Sequence, residues 1–316
     1  MTEKKLAQSL MDEFVIQTDR LTKRYKNVVA VDDLSMEIRR GRVYGLLGPN
    51  GSGKTTTMGL LLGLQAPTSG TFSLFGYNHG HRELLRRVGA LVENSSFYPY
   101  LSGYQNLRYF QMISGRGSEE ELEGLVDRVG LAGRGGDLFR TYSYGMKQRL
   151  GIALSLLGDP DLVFLDEPTN GLDPEGMIEV RELIKSLGDG SRTVLLSSHL
   201  LHEVEQVCDS VTIISKGRLI AQGEVSQLIA TAGSEQIRIK TTDNSKALQL
   251  LSTLGWVEDI SMAEDSLLIT APIERSAELT AALANAEVYV AEMVPIRKSL
   301  EEYFLEVTGR GNEGLQ

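Results

Sequence analysis

The 316-residue sequence predicts an α/β core on a largely parallel sheet, with a β-rich stretch before it and a small ferredoxin-like α+β domain after it. Three observations carry this. Strand-length apolar runs alternate with helix-period segments from Val43 to Val207. A glycine-rich loop, GPNGSGKTT at 48–56, joins one such strand to one such helix. A second series from Gln236 reads strand, helix, strand, strand, helix, strand. At roughly 100 to 200 residues per domain the length agrees with two domains.

In order along the chain, residues 1–13 are expected to be a flexible N-terminal segment, and Val15 to Asp33 holds strand segments around a turn at Tyr25 to Asn27. Leu34 to Ile38 alternates as a further strand. Val43 to Leu47 is a buried strand, the glycine loop follows, and Lys54 to Leu64 is a helix. APTSG at 66–70 turns into strand Thr71 to Phe75, and a short basic helix precedes strand Arg87 to Val92. Ser102 to Gly130 is mainly helical, with the acidic run Glu119 to Glu123 opening its second helix. Helix Ser143 to Leu157 is broken by Asp159 and Pro160, and strand Leu162 to Asp166 follows. Helix Glu175 to Leu187, strand Thr193 to Ser197 and helix Leu200 to Val207 continue the alternation, and a hairpin, Val211 to Ser215 with Arg218 to Gln222, closes the core near Gly223. Residues 224–234 read as a linker. The second domain, 235–316, takes strand Gln236 to Lys240, helix Ser245 to Leu254, strands Val257 to Met262 and Leu267 to Thr270, helix Ile273 to Ala284, strand Val288 to Val294 and helix Leu300 to Thr308.

Composition narrows the function. With 41% hydrophobic and 23% charged residues the chain is an ordinary globular protein, which excludes a disordered or fibrous one. The single cysteine, Cys208, forms no intramolecular disulfide and no paired-cysteine zinc site, and a reducing, cytoplasmic setting is expected. The longest apolar stretch, near Met58 to Leu64, is far below the roughly 20 residues that cross a bilayer, and Thr2 to Glu13 lacks the apolar core of a signal peptide. The net charge is −10, and residues 224–316, with 15 acidic and 7 basic side chains, hold −8 of it. Neither part is a polyanion-binding surface by composition, so no nucleic-acid partner is expected.

Two motifs carry chemistry. Gly48, Gly53, Lys54 and Thr55 stand at the spacing of a phosphate-binding loop. Glycines let backbone N–H groups turn in on phosphate oxygens, and the helix N-terminus adds partial positive charge. Gly48, Pro49, Asn50, Gly51, Ser52, Gly53, Lys54, Thr55 and Thr56 are therefore the expected triphosphate contacts, with Lys54 on the β and γ phosphates and Thr55 on Mg²⁺. The strand LVFLDE at 162–167 ends in two carboxylates: Asp166 suits Mg²⁺, and Glu167 suits polarising the water that attacks the γ phosphate. Such an acidic strand end standing alone is more often simply solvated; the phosphate loop earlier in the chain reverses that reading.

With these motifs the chain resembles the ATP-binding subunits of ATP-binding-cassette (ABC) transporters. Tyr142 to Arg149, YSYGMKQR, is similar to the LSGGQ signature of that family, with Ser143 and Gly145 on matching positions. PTNGLD at 168–173 matches the D-loop and supplies Asp173, Ser198 and His199 match the switch region, and Tyr25 matches the aromatic that stacks on adenine. The resemblance covers about 14–223. It implies a P-loop ATPase core with a helical subdomain, Glu167 and His199 as catalytic residues, and ATP with Mg²⁺ as ligands. It also implies a head-to-tail dimer, with a second copy or a homologous ATP-binding subunit whose signature reaches the opposite γ phosphate. Transmembrane permease subunits are the implied partners, which would place the protein peripherally on the cytoplasmic face of the membrane.

Two departures stand out. Glu93 occupies the place of the glutamine that usually senses Mg²⁺ and the attacking water, and Tyr144 and Met146 replace the usual Gly and Gln of the signature. These features, with SLEEYFLEVTG at 299–309, resemble the ABC-2 exporter group, particularly bacitracin and lantibiotic resistance subunits. The aromatic segment Asn94 to Gln111 is a candidate docking surface for a permease, or else the core of the helical subdomain. The alternatives at this level are a soluble cassette ATPase acting on ribosomes or DNA, and a non-hydrolysing nucleotide sensor.

Overall fold

Strand β1, Phe14–Tyr25, is long enough to serve two partners. Its first half pairs antiparallel with β3, Glu37–Arg39, and its second half with β2, Val28–Leu34. Arg20, at a positive φ of 48°, marks the irregularity between the halves. With β5 (Ser69–Leu74) and β6 (Tyr77–Asn78) these strands form one antiparallel sheet in the order β2-β1-β5-β6, with β3 beside β1. The structure is a computed structural model describing residues 13–78, 82–92, 96–188, 190–231, 236–296 and 299–309. It divides at Glu224–Val225 into two compact units.

The second sheet of the first unit orders the site. Strands β4 (Val43–Leu47), β7 (Val88–Leu91), β8 (Leu162–Asp166), β9 (Thr193–Ser198), β10 (Ser210–Ser215) and β11 (Arg218–Glu224) lie in the order β11-β10-β4-β9-β8-β7. Every neighbouring pair is parallel except β10 with β11. β4, β8 and β9 are buried along their whole lengths, as mainly apolar runs covered on both faces are. Helix α1, Lys54–Leu61, follows β4 and sends Met58, Leu60 and Leu61 into a core shared by both sheets, among Ile16, Leu74, Leu46 and Phe164. Because β9 stands between β4 and β8, the loops leaving all three strands emerge side by side at the C-terminal edge, where open parallel sheets bind ligands.

Three helices pack on one another, the last of them also against β7 of the parallel sheet: α2 (Gly103–Ser114), α3 (Glu119–Arg128) and α4 (Tyr144–Ser155). Phe97 lies between Phe110 and Phe139, with ring centroids 5.7 and 5.0 Å away, and is buried. Tyr98, Tyr100 and Tyr109 stay exposed. The aromatic segment is therefore divided, one part core and one part surface; its residues Asn94 and Ser95 lie outside the described residues. α5 (Pro174–Leu187) and α6 (Leu201–Val207) cover the parallel sheet.

The second unit opens with helix α7, Val225–Thr231. Its strands β12 (Gln236–Thr241), β13 (Asp259–Ala263), β14 (Ser266–Thr270) and β15 (Val290–Ile296) form an antiparallel sheet in the order β13-β14-β12-β15. Helices α8 (Asn244–Leu251) and α9 (Ser276–Asn285) complete a βαββαβ chain order, and α10 (Leu300–Gly309) follows. Ile237, Ile239, Leu251, Leu267, Ile269, Leu279 and Leu283 make a core of its own.

Several boundaries differ from the sequence expectation, each for a local reason. The helix from Lys54 stops at Leu61 rather than Leu64, because Gly63 turns left-handed and bonds back to the Leu60 carbonyl at 3.0 Å. The strand expected at 34–38 begins only at Glu37. The last strand starts at Val290 rather than Val288, whose N–H is taken by the Leu283 carbonyl at 3.0 Å. Of the expected linker, Glu224 belongs to β11, 225–231 is helical and 232–234 lie outside the described residues. So do residues 1–12 of the expected N-terminal segment.

Candidate functional site

The glycine loop is shaped by what crowds it. A Cβ on Gly53, which has φ 106°, would lie 2.3 Å from the Ala30 carbonyl oxygen, and one on Gly48 would lie 2.2 Å from that of Ile214. Both neighbours are backbone and cannot step aside, so a side chain is excluded at each position. Gly217, in the β10–β11 turn, donates its N–H to Ser52 O at 2.9 Å and locks the loop from outside. Lys54, almost fully buried, turns back over the loop and donates to Gly48 O at 2.8 Å and Pro49 O at 3.4 Å. Its ammonium also lies 3.4 Å from Glu167 Oε1.

The carboxylates at the end of β8 take opposite roles by position. Asp166 is buried, accepting from Thr55 Oγ1 at 2.9 Å on one oxygen and from Ser197 Oγ on the other. Glu167 leaves the strand at φ 50°, a left-handed value unusual for a glutamate, and its N–H donates to the same Ser197 Oγ at 2.9 Å. That kink carries its side chain to the cavity, where His199 Nδ1 stands 2.6 Å from Oε2. A carboxylate only accepts, so the imidazole Nδ1 carries the proton of this bond.

A cavity of about 620 Å³ opens over these groups. Its apolar wall is Tyr25, Val28, Val29 and Ala30; its floor is Asn50, Gly51, Gly53, Lys54, Thr55 and Thr56; Glu167, Asn170 and His199 stand beyond. The structure thus gathers Tyr25, most of the glycine loop, Glu167 and His199 around one space, with Asp166 bonded to Thr55 beneath. Tyr25 is half exposed, its hydroxyl bonded to Gln65 Oε1 and its ring 5.1 Å from Lys23 Nζ. Val28, Val29, Asn170 and Ser197 carried no expectation. A serine inside the apolar run TVLLSS is the signal that marks Ser197, since a buried hydroxyl needs partners.

Ser143, Gly145 and Asp173 do not line this cavity. Ser143 caps α4 by accepting from Met146 N at 3.2 Å, and Asp173 caps α5 by accepting from Gly176 N at 3.2 Å. A Cβ on Gly145 would meet nothing among the described residues closer than Leu172 Cδ2 at 3.7 Å, so none of their side chains requires glycine there. The segment is rigidly held: Tyr142 is buried, donates its hydroxyl to Arg134 O at 2.8 Å, and has its phenol pushed up from the ordinary range chiefly by that burial. Glu93 lies outside the described residues.

The family profile described as ABC transporter matches residues 31–170, and one described as AAA domain, putative AbiEii toxin, Type IV TA system matches 138–205. The uncharacterized ABC transporter ATP-binding protein YdbJ of Bacillus subtilis (strain 168) is 38% identical over 94% of this chain and 96% of its own length. The bacitracin transport ATP-binding protein BcrA of Bacillus licheniformis is 37% identical over 95% and 99% of the two chains. For the daunorubicin resistance ATP-binding protein DrrA3 of Streptomyces coeruleorubidus the values are 34%, 95% and 97%. Among solved structures, cbiO1 of Clostridium perfringens, part of the ABC transporter complex cbiONQ, superposes with a TM-score of 0.63 at 26% identity, covering 69% of this chain and 91% of that one. An ATP-binding cassette solved as a post-hydrolysis dimer with ADP and Pi shares the fold, with a TM-score of 0.59 at 21% identity over 66% and 98%. With relatives above 30% identity along nearly all of both chains, the protein belongs to the ABC transporter ATP-binding proteins, the ATP-hydrolysing subunits of transport ATPases.

Proposed function

We propose that the cavity takes ATP with its base against Tyr25 and its triphosphate on the loop 48–56, and that Glu167 is the base of hydrolysis. The observation that carries this is the placing of Glu167 between Lys54 and His199 at the end of the glycine loop. Lys54, held over the loop by two carbonyls, presents its ammonium to the β and γ phosphates. Glu167 accepts a proton from the attacking water, and the His199 N–H keeps that carboxylate from turning away.

Mg²⁺ fits the same place. Thr55 Oγ1 and Asp166 Oδ2, 2.9 Å apart, are hard oxygen donors beside the phosphate loop. Among the described residues no group of three or more His, Cys, Asp and Glu makes a complete cage, as suits an ion held by few protein oxygens together with phosphates. When bound, Mg²⁺ neutralises charge on the β and γ oxygens. Ser143, Gly145 and Asp173 are proposed to meet the ATP of an opposite subunit; their lying off this chain's own cavity supports that reading.

The transport step proposed is export of the ABC-2 kind, through permease subunits at the cytoplasmic face of the membrane. Two relatives carry names of bacitracin transport and daunorubicin resistance. No helix among the described residues is long and apolar enough to cross a membrane, so a permease would have to supply the path. The exposed Tyr98, Tyr100 and Tyr109 are the proposed contact. Native protein is expected to sediment with membranes and to lose that association when a co-expressed permease is deleted. Retention on membranes without any permease, or none in its presence, would contradict the reading.

A further inference from the structure

We infer that Ser197 is a positioning residue for hydrolysis: one buried hydroxyl aims both carboxylates at the end of β8, the metal-holding one and the base. The inference rests on the roles proposed above for Asp166 and Glu167. Ser197 stands directly opposite Asp166 in the parallel β8–β9 ladder and is fully buried. A serine hydroxyl has one proton to give and lone pairs to receive. Here the proton goes to Asp166 Oδ1, and a lone pair takes the N–H of Glu167 at 2.9 Å.

Strand pairing alone needs no hydroxyl at this position. The requirement comes from the kink. Glu167 has left the extended conformation for φ 50°, and Ser197 Oγ, rather than a ladder carbonyl, receives its N–H. That turn is what delivers the Glu167 side chain to the cavity, while Asp166, one residue earlier, stays buried against Thr55. Asp166 is thereby held between two hydroxyls, Thr55 on one oxygen and Ser197 on the other, which sets the plane of its carboxylate. Removing the Ser197 hydroxyl takes a donor from Asp166 and an acceptor from Glu167 at once, in a place water does not reach.

The test compares Ser197→Ala, Ser197→Val and Ser197→Thr in the full-length chain; valine and threonine have the same shape and differ in the hydroxyl. Ala and Val are expected to lower kcat roughly 10- to 100-fold with the KM for ATP within about twofold, the mark of misplaced reacting groups. Mn²⁺ binding in the presence of ADP, followed by EPR, is expected to weaken about 3- to 10-fold in both, the worth of one hydrogen bond. Threonine is expected to restore both readouts. Equal damage from Val and Thr, near wild-type turnover in Ala and Val, or a fall in kcat with Mn²⁺ binding unmoved would each overturn the inference. If the alanine variant does not fold, the Val and Thr pair decides. Glu167→Gln measured alongside separates the two levels: loss of turnover there with Ser197→Val near wild type removes only the role of Ser197, whereas normal turnover in Glu167→Gln removes the reading beneath it.

Discussion

Glu167 is held from three sides, by Lys54 at 3.4 Å, by His199 at 2.6 Å and through its own N–H by Ser197 at 2.9 Å. An amide in its place keeps the shape and loses the proton-accepting charge. Glu167→Gln is therefore expected to bind ATP as the parent does and to hydrolyse it slower by about 10²- to 10⁴-fold, measured as steady-state turnover beside equilibrium ATP binding. Near wild-type turnover would remove Glu167 as the base. Cys208 gives a pH prediction of the opposite kind. It is buried beside Asp209, and burial first, then that carboxylate, pushes its thiol well up. Only the thiolate reacts, so a thiol reagent at pH 8 should label the native protein far more slowly than the unfolded one. Because the unfolded thiol gives up its proton first, this group's contribution to stability is complete below the ordinary thiol range and declines as pH rises through it. Equal labelling rates in the two states would contradict the burial.

At the scale of elements, helix α2 begins with a complete capping box: Ser102 Oγ accepts from Gln105 N at 3.1 Å and Gln105 Oε1 accepts from Ser102 N at 2.9 Å. Ser102→Ala should cost about 1 kcal/mol of stability. It should leave ATP affinity unchanged, since α2 contributes nothing to the cavity lining, and paired denaturation and binding curves check both halves. Strands β4 and β8 have the bounds that their apolar runs suggest, because Gly, Asp and Pro mark where such a run must end; β9 extends one residue further. Strand β3 was less legible. Met36 keeps only its carbonyl in the pairing, accepting from Thr18 N at 2.9 Å; its N–H goes to the Thr18 hydroxyl at 2.9 Å, which donates on to Leu34 O at 2.8 Å. A side chain standing in for a ladder bond has no periodic signature.

Over the whole molecule the two units have separate apolar cores, and among the described residues those lining the cavity belong to the first. Arg42 pairs with Glu224 at 2.6 Å, so the last residue of β11 is tied to the sheet that carries the site. A chain ended after Glu224 is expected to fold and to bind ATP with unchanged affinity, read by calorimetry. A truncated protein that folds without binding ATP would place part of the site in the acidic second unit and overturn the division proposed here.

The order of groups along the chain settles a good deal. Glycines at 48 and 53 with Lys54 and Thr55 between a strand and a helix, and two acids closing LVFLDE, declare phosphate chemistry through local spacing, because loop shape and strand ends are matters of a few consecutive residues. The pairing of those groups is not local. Thr55 meets Asp166 across 111 residues, Ser197 meets both acids across about 30, and Tyr25 with Val28 and Val29 closes the wall of a cavity whose floor is the glycine loop. The contacts of Ser197 and Thr55 with the acids follow from β9 inserting between β4 and β8, and the wall from the β1–β2 pair of the other sheet; strand order and sheet packing are decided by how the faces are covered, which hydrophobic periodicity within any one segment does not encode.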